Sequence, residues 1–269
     1  MNNANTRKYA LSAALAVTAG TLAFTATHAQ TSSRNPEVTL YGGTLTSDAR
    51  LDAKGKVLEA SVTVPMSVFQ NAPTTMDTSK PMTMKADAVL EFPAIVRKTT
   101  FLNHLSMFWN PEGHEPLARY GVPHWDFHFF TLDAAQAAAI DCKNLAQGDP
   151  RAVAAGWLPP VPPNAPAGQF CVPLMGFHSE PVTEFKGPGV FLDGKFEKVM
   201  IGGYYQGRYQ FIEPMITTAT LEKRRTFSLP VPLPSSIGQA TLYPTRFQAI
   251  FEKSADAYKF VFSNFKSIN

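Results

Sequence analysis

Pro123-His124-Trp125-Asp126-Phe127-His128-Phe129-Phe130 alternates polar and aromatic side chains with a period of two. That is the period of a β-strand, not of a helix. As a strand, the segment projects His124, Asp126 and His128 from one face and Trp125, Phe127 and Phe129 from the other. Core burial accounts for the aromatic face. It does not account for three potential ligands in a row on the opposite one.

Short alternating runs broken by Pro and Gly continue on both sides of this segment. Val38-Thr39-Leu40-Tyr41 is strand-like, and Lys54-Gly55-Lys56 reads as a hairpin turn into Val57–Val64. Thr83–Phe92 and Phe101–Trp109 are further strands before the central one. After it, Thr131-Leu132-Asp133 offers an N-cap to an Ala-rich helix from Ala134 to Leu145, stopped by Gly148-Asp149-Pro150. Residues 147–170 are a proline-rich excursion without periodicity. Lys198–Tyr205 and Arg208–Ile216 flank Gln206-Gly207 as a hairpin, and a short helix is expected around Ala219–Arg225. Phe227–Leu233, Ala240–Phe251 and Tyr258–Phe262 close the chain as strands. The expected fold is mainly β: a single-domain sandwich or open barrel over residues 37–269, with one or two short helices.

The N-terminus reads differently. Arg7 and Lys8 precede an uncharged run from Ala10 to Ala26, and Thr27-His28-Ala29 places small residues at the third and first positions before a cut ahead of Gln30. Residues 1–29 are expected to be a cleaved signal peptide, followed by a disordered segment over 30–36. The competing reading is a membrane span. This run, however, is rich in Ala and Thr and short of the roughly 20 strongly apolar residues a span needs. Export places the mature chain in the periplasm or outside the cell. Removing Arg7 and Lys8 from 24 basic residues leaves 22 against 21 acidic ones, so the net charge falls from +3 to +1. A nearly neutral chain without a basic patch has no electrostatic footprint for nucleic acid.

Cys142 and Cys171 are the only two cysteines. In an oxidising compartment they are most simply one disulfide closing the proline-rich loop; two separate buried thiols are the alternative. Of the six histidines, His28 falls in the leader and four of the others lie between 104 and 128. His124 and His128 stand about 13 Å apart along an extended strand, so joint binding of one ion requires a bend or bulge. Further ligands are expected from Val172-Pro173-Leu174-Met175-Gly176-Phe177-His178 and from Phe211-Ile212-Glu213-Pro214-Met215. Glu213 is a carboxylate in an apolar stretch, where an unpaired charge is costly. Pairing with Arg208 or Lys198 is the other way to satisfy it. His114 in the turn Glu112-Gly113-His114-Glu115-Pro116 either lines the mouth of a site or is merely exposed, and His104 is structural. The expected metal ligands are therefore His124, His128, His178 and Glu213, with Asp126 and His114 as candidate catalytic or orienting groups. The alternative is a polar, solvated sheet face with no ligand.

At these residues the chain resembles a family of uncharacterised exported bacterial proteins that carry a Thermus hypothetical-protein-like domain. The resemblance rests on four motifs in order: Gly113-His114-Glu115-Pro116, Pro123 to Phe129, Val172 to His178 and Phe211 to Met215. It spans about residues 37 to 225. An aromatic residue usually follows the histidine of the third motif, whereas Ser179 stands here, which puts the pocket wall in doubt. The resemblance implies a β-rich fold and allows homo-oligomers. It supplies no activity.

Two functions remain open. One is a metal-dependent enzyme, a hydrolase or oxygenase type using Zn, Mn or Fe. The other is a non-catalytic envelope protein that binds metal or a small molecule, or is purely structural. No Gly-x-Ser-x-Gly elbow occurs. Gly189 to Lys195 resembles a phosphate-binding loop but continues with Phe196, so it reads as a hairpin turn.

Overall fold

The computed structural model describes residues 35–75, 85–149 and 153–269. The expected leader and most of the polar segment after it lie outside the described residues. In chain order the strands are β1 (Glu37–Leu40), β2 (Gly43–Leu51), β3 (Val57–Pro65), β4 (Ala88–Glu91), β5 (His104–Asn110), β6 (His124–Phe130), β7 (Cys171–Val172), β8 (Gly176–Ser179) and β9 (Phe185–Gly187). They continue with β10 (Val190–Phe191), β11 (Lys198–Tyr205), β12 (Arg208–Thr217), β13 (Phe227–Leu229), β14 (Thr241–Tyr243), β15 (Arg246–Glu252), β16 (Ala257–Ser263) and β17 (Lys266–Ile268).

Two antiparallel sheets carry the fold. One has six strands in the order β1-β2-β3-β16-β15-β13, and the other seven in the order β4-β5-β6-β12-β11-β8-β7. They pack face to face as a sandwich. Trp125, Phe127 and Phe129 of β6 enter the interior, where Phe127 meets Phe260 at 4.7 Å and Phe129 meets Phe262 at 4.7 Å between ring centroids. Phe69, from the short helix after β3, closes on Trp125 at 5.6 Å. Fully burying each such aromatic is worth about 1.5–3 kcal/mol. The register of β6 is therefore strongly specified, because a one-residue slip would exchange its two faces.

The same alternation turns His124, Asp126 and His128 outward from the sandwich, yet all three are buried. Chain outside the two sheets covers that face. From that chain Ala137, Ile140 and Met175 cluster with Phe108, Phe130 and Phe211 of the sheet, and Tyr120 and Phe196 cluster with Met215. The polar row is thus a buried feature and not a solvated sheet face. β6 is a central strand, paired with β5 from His104↔Phe130 to Asn110↔His124 and with β12 at Phe211↔Phe130, Ile212↔Phe129 and Met215↔Asp126.

The β11–β12 hairpin turns on Gln206 (φ 51°) and Gly207 (φ 77°). Two consecutive positive φ values are what a two-residue turn of this kind requires, and Gly adopts one without strain. Gly189 lies in the tight turn between β9 and β10, the local hairpin expected of the near-match to a phosphate loop.

Helices depart further from expectation. There are five among the described residues rather than one or two: α1 (Met66–Gln70), α2 (Ala94–Thr99), α3 (Leu117–Tyr120), α4 (Ala134–Ala138) and α5 (Thr218–Glu222). α4 begins at Asp133 with a full capping box: Gln136 N donates to the Asp133 carboxylate at 2.7 Å, and Asp133 N donates to the Gln136 side chain at 3.1 Å. It stops seven residues short of Leu145. Cys142 sits at φ 58°, outside the right-handed helical region, and is disulfide-bonded to Cys171 across a Cα separation of 5.7 Å. The chain has thus left the helical path before Cys142, although its Ala-rich sequence predicts helix to Leu145. Such a bridge is consistent with an oxidising compartment. No helix among the described residues is long and apolar enough to cross a membrane.

Candidate metal centre

The row on β6 resolves into two groups of three. His128 joins His178 and Glu213, while Asp126 joins His124 and His114; the potential ligand atoms within each group lie within 4.8 Å of one another. The expected quartet is thereby divided. His178 and Glu213 come to His128, and His124 stands in the other group with the two residues expected to assist. No bend in β6 is needed, because the two histidines of the strand do not share a group.

Glu213 reaches His128 through the β6–β12 register: it lies between Ile212↔Phe129 and Met215↔Asp126, and so opposite His128. His178 arrives from β8, one strand beyond β11, where it pairs with Gly203. Gly203 in turn pairs with Phe211. A Cβ on Gly203 would overlap the Phe211 ring, so the glycine makes room for that ring to lie across the sheet. Phe211 then packs on both imidazoles, 4.7 Å from His128 and 5.2 Å from His178 between centroids.

Three polar atoms meet at the centre of this group. His128 Nε2 lies 3.4 Å from Glu213 Oε2, His178 Nε2 lies 3.6 Å from the same oxygen, and the two nitrogens are 3.5 Å apart. Zinc bonds of about 2.0–2.1 Å at tetrahedral angles hold adjacent ligand atoms about 3.3–3.4 Å apart. Octahedral bonds of ~2.1 Å would hold them at only about 3.0 Å. The triangle has the dimensions of one face of a tetrahedral site. His128 and Glu213 are almost wholly buried, while the His178 side chain is 20% exposed and gives the group its edge to solvent. Glu213 Oε2 and His128 Nδ1 are buried without a hydrogen-bond partner.

The electrostatics are those of a group that could hold a cation. Burial, and then the nearby Asp126 carboxylate, push Glu213 well above the usual carboxylate range. Burial followed by His178 pushes His128 well below the usual imidazole value, and burial followed by His114 brings His178 down to about 4. Left alone, all three groups are driven to their neutral forms. A divalent ion reverses that logic by stabilising the carboxylate and binding the imidazole lone pairs. The expected alternatives for Glu213 do not engage it: Lys198 lies over the Phe227 ring at 5.5 Å, and Arg208 is exposed.

The second group is built differently. His124 Nδ1 lies 2.7 Å from the Val122 carbonyl, and His114 Nδ1 lies 2.8 Å from the Glu115 carbonyl. A carbonyl only accepts, so each Nδ1 carries the proton and each Nε2 faces Asp126: His124 at 3.2 Å from Oδ1 and His114 at 3.5 Å from Oδ2. Asn110 donates to Oδ2 at 2.8 Å. Burial works to raise the Asp126 carboxyl, but the His114 and His124 imidazoles outweigh it and hold it well below the carboxylate range. Burial likewise opposes, and Asp126 outweighs it, in raising His114.

Sequence reasoning passed over Glu180 and Asn110. Burial, then the Glu184 carboxylate, push Glu180 up to about 7, and it feels the His114 charge. Its signal was the two-residue step from His178, the same alternation that organises β6. Ser179 does not form a wall of the site: its side chain leaves on the opposite side from His178, and its hydroxyl donates to the Leu158 carbonyl at 2.6 Å. His104 is structural, with Nδ1 2.9 Å from the Leu132 carbonyl and its ring stacked on Phe130 at 5.1 Å.

Residues 52–109 match a protein family described as TTHB210-like, hypothetical protein TTHB210. The matched stretch runs from the start of the β2–β3 turn to the penultimate residue of β5, ahead of all six residues of the two groups. No curated protein and no solved structure matches the chain.

Proposed function

We propose that this is an exported protein with a divalent transition-metal centre formed by His128, His178 and Glu213, suited to metal-assisted hydrolysis. The observation that carries the reading is the 3.4, 3.5 and 3.6 Å triangle of two imidazole nitrogens and one carboxylate oxygen. Its edges lie closer to those of a tetrahedral ion of the zinc type than to those of an octahedral one, which supports the hydrolytic reading, while the same two-histidine, one-carboxylate set also suits Fe(II) and oxygen chemistry. Two histidines and one glutamate leave a fourth position, which the part-exposed His178 edge connects to solvent. A zinc ion held by His128, His178 and Glu213 would lower the pKa of a bound water to about 7. Phe211 keeps both imidazoles oriented, and Glu180, at about 7, is a carboxyl able to exchange a proton near neutrality.

Export rests on the leader sequence and agrees with the Cys142–Cys171 bond. The four motifs that resemble exported Thermus-type proteins include every residue of this centre. A non-catalytic envelope protein that only holds the metal is the second reading. It draws on the burial of His128 and Glu213, which leaves the part-exposed His178 as the ligand that meets solvent.

Protein recovered from the periplasm or medium tests both parts. Its N-terminus is expected at Gln30. Elemental analysis should find zinc or a related ion in wild type and one ion per chain fewer in His178→Ala and in Glu213→Gln. Equal metal content in wild type and both variants would refute the centre.

A further inference from the structure

The His128 centre leaves the other half of the β6 row unexplained. His124 Nε2 and Asp126 Oδ1 are buried, face each other at 3.2 Å, and have no hydrogen-bond partner. With Nδ1 of both His124 and His114 committed to backbone carbonyls, each Nε2 of a neutral imidazole presents a lone pair. Those lone pairs converge on an acceptor-only carboxylate. That arrangement calls for a positive charge among the three side chains, either an imidazolium proton or a bound cation shared by all three.

From this geometry we infer that His114, His124 and Asp126 form a second divalent transition-metal site. An Nδ1–H held by a backbone carbonyl is the usual outer partner of a metal-binding histidine, and both imidazoles have one. Asp126 offers Oδ1 to His124 at 3.2 Å and Oδ2 to His114 at 3.5 Å, and one potential ligand atom from each of the three residues lies within 4.8 Å of the others. Asn110 fixes the carboxylate by donating to Oδ2 at 2.8 Å. The His114 side chain is 40% exposed, so an ion has a way in from the turn after β5. The Tyr120 hydroxyl, buried and without a partner beside His114, is an added oxygen at the rim.

Asp126 and His128 are two residues apart on one face of a strand, which separates their side chains by about 7 Å. Paired metals that share a bridging ligand stand about 3.5–4 Å apart. The two groups therefore constitute separate sites without a bridging ligand, close enough for the charge of one to be felt at the other.

Full-length exported protein stripped with a chelator and titrated with Co(II) alone, followed by visible absorption, gives the count directly. Wild type is expected to take up two equivalents; His114→Ala and His178→Ala should each take up one, with different spectra. A single equivalent in wild type that survives His114→Ala and vanishes in His178→Ala overturns the second site while sparing the first. A single equivalent with the opposite pattern upholds the second site and overturns the first. No uptake in wild type overturns both. Asp126→Asn, which keeps the side-chain shape, supplies the same comparison should His114→Ala lose its native circular dichroism.

Discussion

Gly203→Ala tests whether the aromatic packing around His128 and His178 sets their geometry. The added Cβ would fall on three atoms of the Phe211 ring, well inside the 3.0 Å that real Cβ contacts essentially never undercut. The ring cannot swing clear cheaply, because His128, His178 and Phe130 pack on it at 4.7, 5.2 and 5.3 Å. Overpacking of this severity costs about 3 kcal/mol, and the stiffer unfolded chain returns about 0.4–1 kcal/mol, for a net loss of about 2–2.5 kcal/mol. Gly202→Ala is the control. Its Cβ would meet the Tyr209 hydroxyl at 2.7 Å on the sandwich side of the same strand, so it strains the core and not the centre. Urea unfolding should show both variants destabilised. Zinc competition with a chromophoric chelator should show binding at the His128 group weakened about tenfold or more in Gly203→Ala only. Gly203→Ala/Phe211→Leu, which removes ring edge where the methyl is added, should recover stability beyond the sum of the single changes. Strict additivity in that double mutant, or equal zinc affinity in the two glycine variants, would show that Phe211 does not hold the imidazoles.

Two further outcomes concern the scaffold. Burial pushes His104 down to about 4, against about 6.5 unfolded. Between those values the unfolded chain takes up a proton that the folded one refuses, so stability falls as pH drops through this window. At pH 4.5 the loss from this residue is about 2.5 kcal/mol relative to neutral pH, and His104→Gln should shrink the difference between the urea-unfolding free energies at pH 7 and pH 4.5 by that much. Arg119 donates to Glu184 at 2.8 Å with both side chains about nine-tenths buried, and Arg119 also donates to the Gly194 carbonyl. Glu184→Gln strands the guanidinium and should cost about 3–5 kcal/mol by chemical denaturation, whereas Arg119→Met/Glu184→Leu should cost clearly less. Equal losses would mean the pair is not an isolated buried charge couple.

Much of this arrangement is legible in the sequence where local periodicity governs it. The alternation of residues 124 to 130 gives the strand, its two faces and the core side, because side-chain direction in a strand depends only on parity. The β11–β12 hairpin is equally local. Grouping of the ligands is not. Which histidine meets Glu213 depends on the β6–β12 register, and the position of His178 depends on β11 lying between β8 and β12. Neither is encoded in spacing along the chain. Burial of the polar face was also hidden, since the covering segments carry no periodic signal. The helix after Asp133 illustrates the opposite error: propensity extends it to Leu145, whereas it ends at Ala138 and the chain goes on to a left-handed residue at the disulfide-bonded Cys142.

The disulfide has a consequence for the margin of the seven-stranded sheet. β8 carries His178 on only four residues, joined to β11 at three positions, and its outer neighbour β7 covers just Phe177 and Gly176. Short marginal strands are the first part of a sheet to fray. Cys171 opens β7, and its bond to Cys142 stitches that hem to the segment after α4. With the stitch intact, unravelling from this side is arrested two strands before β12. With it cut, the first histidine to leave is one of the three on which the proposed centre depends, so the grip on an ion would loosen before the sandwich itself gave way.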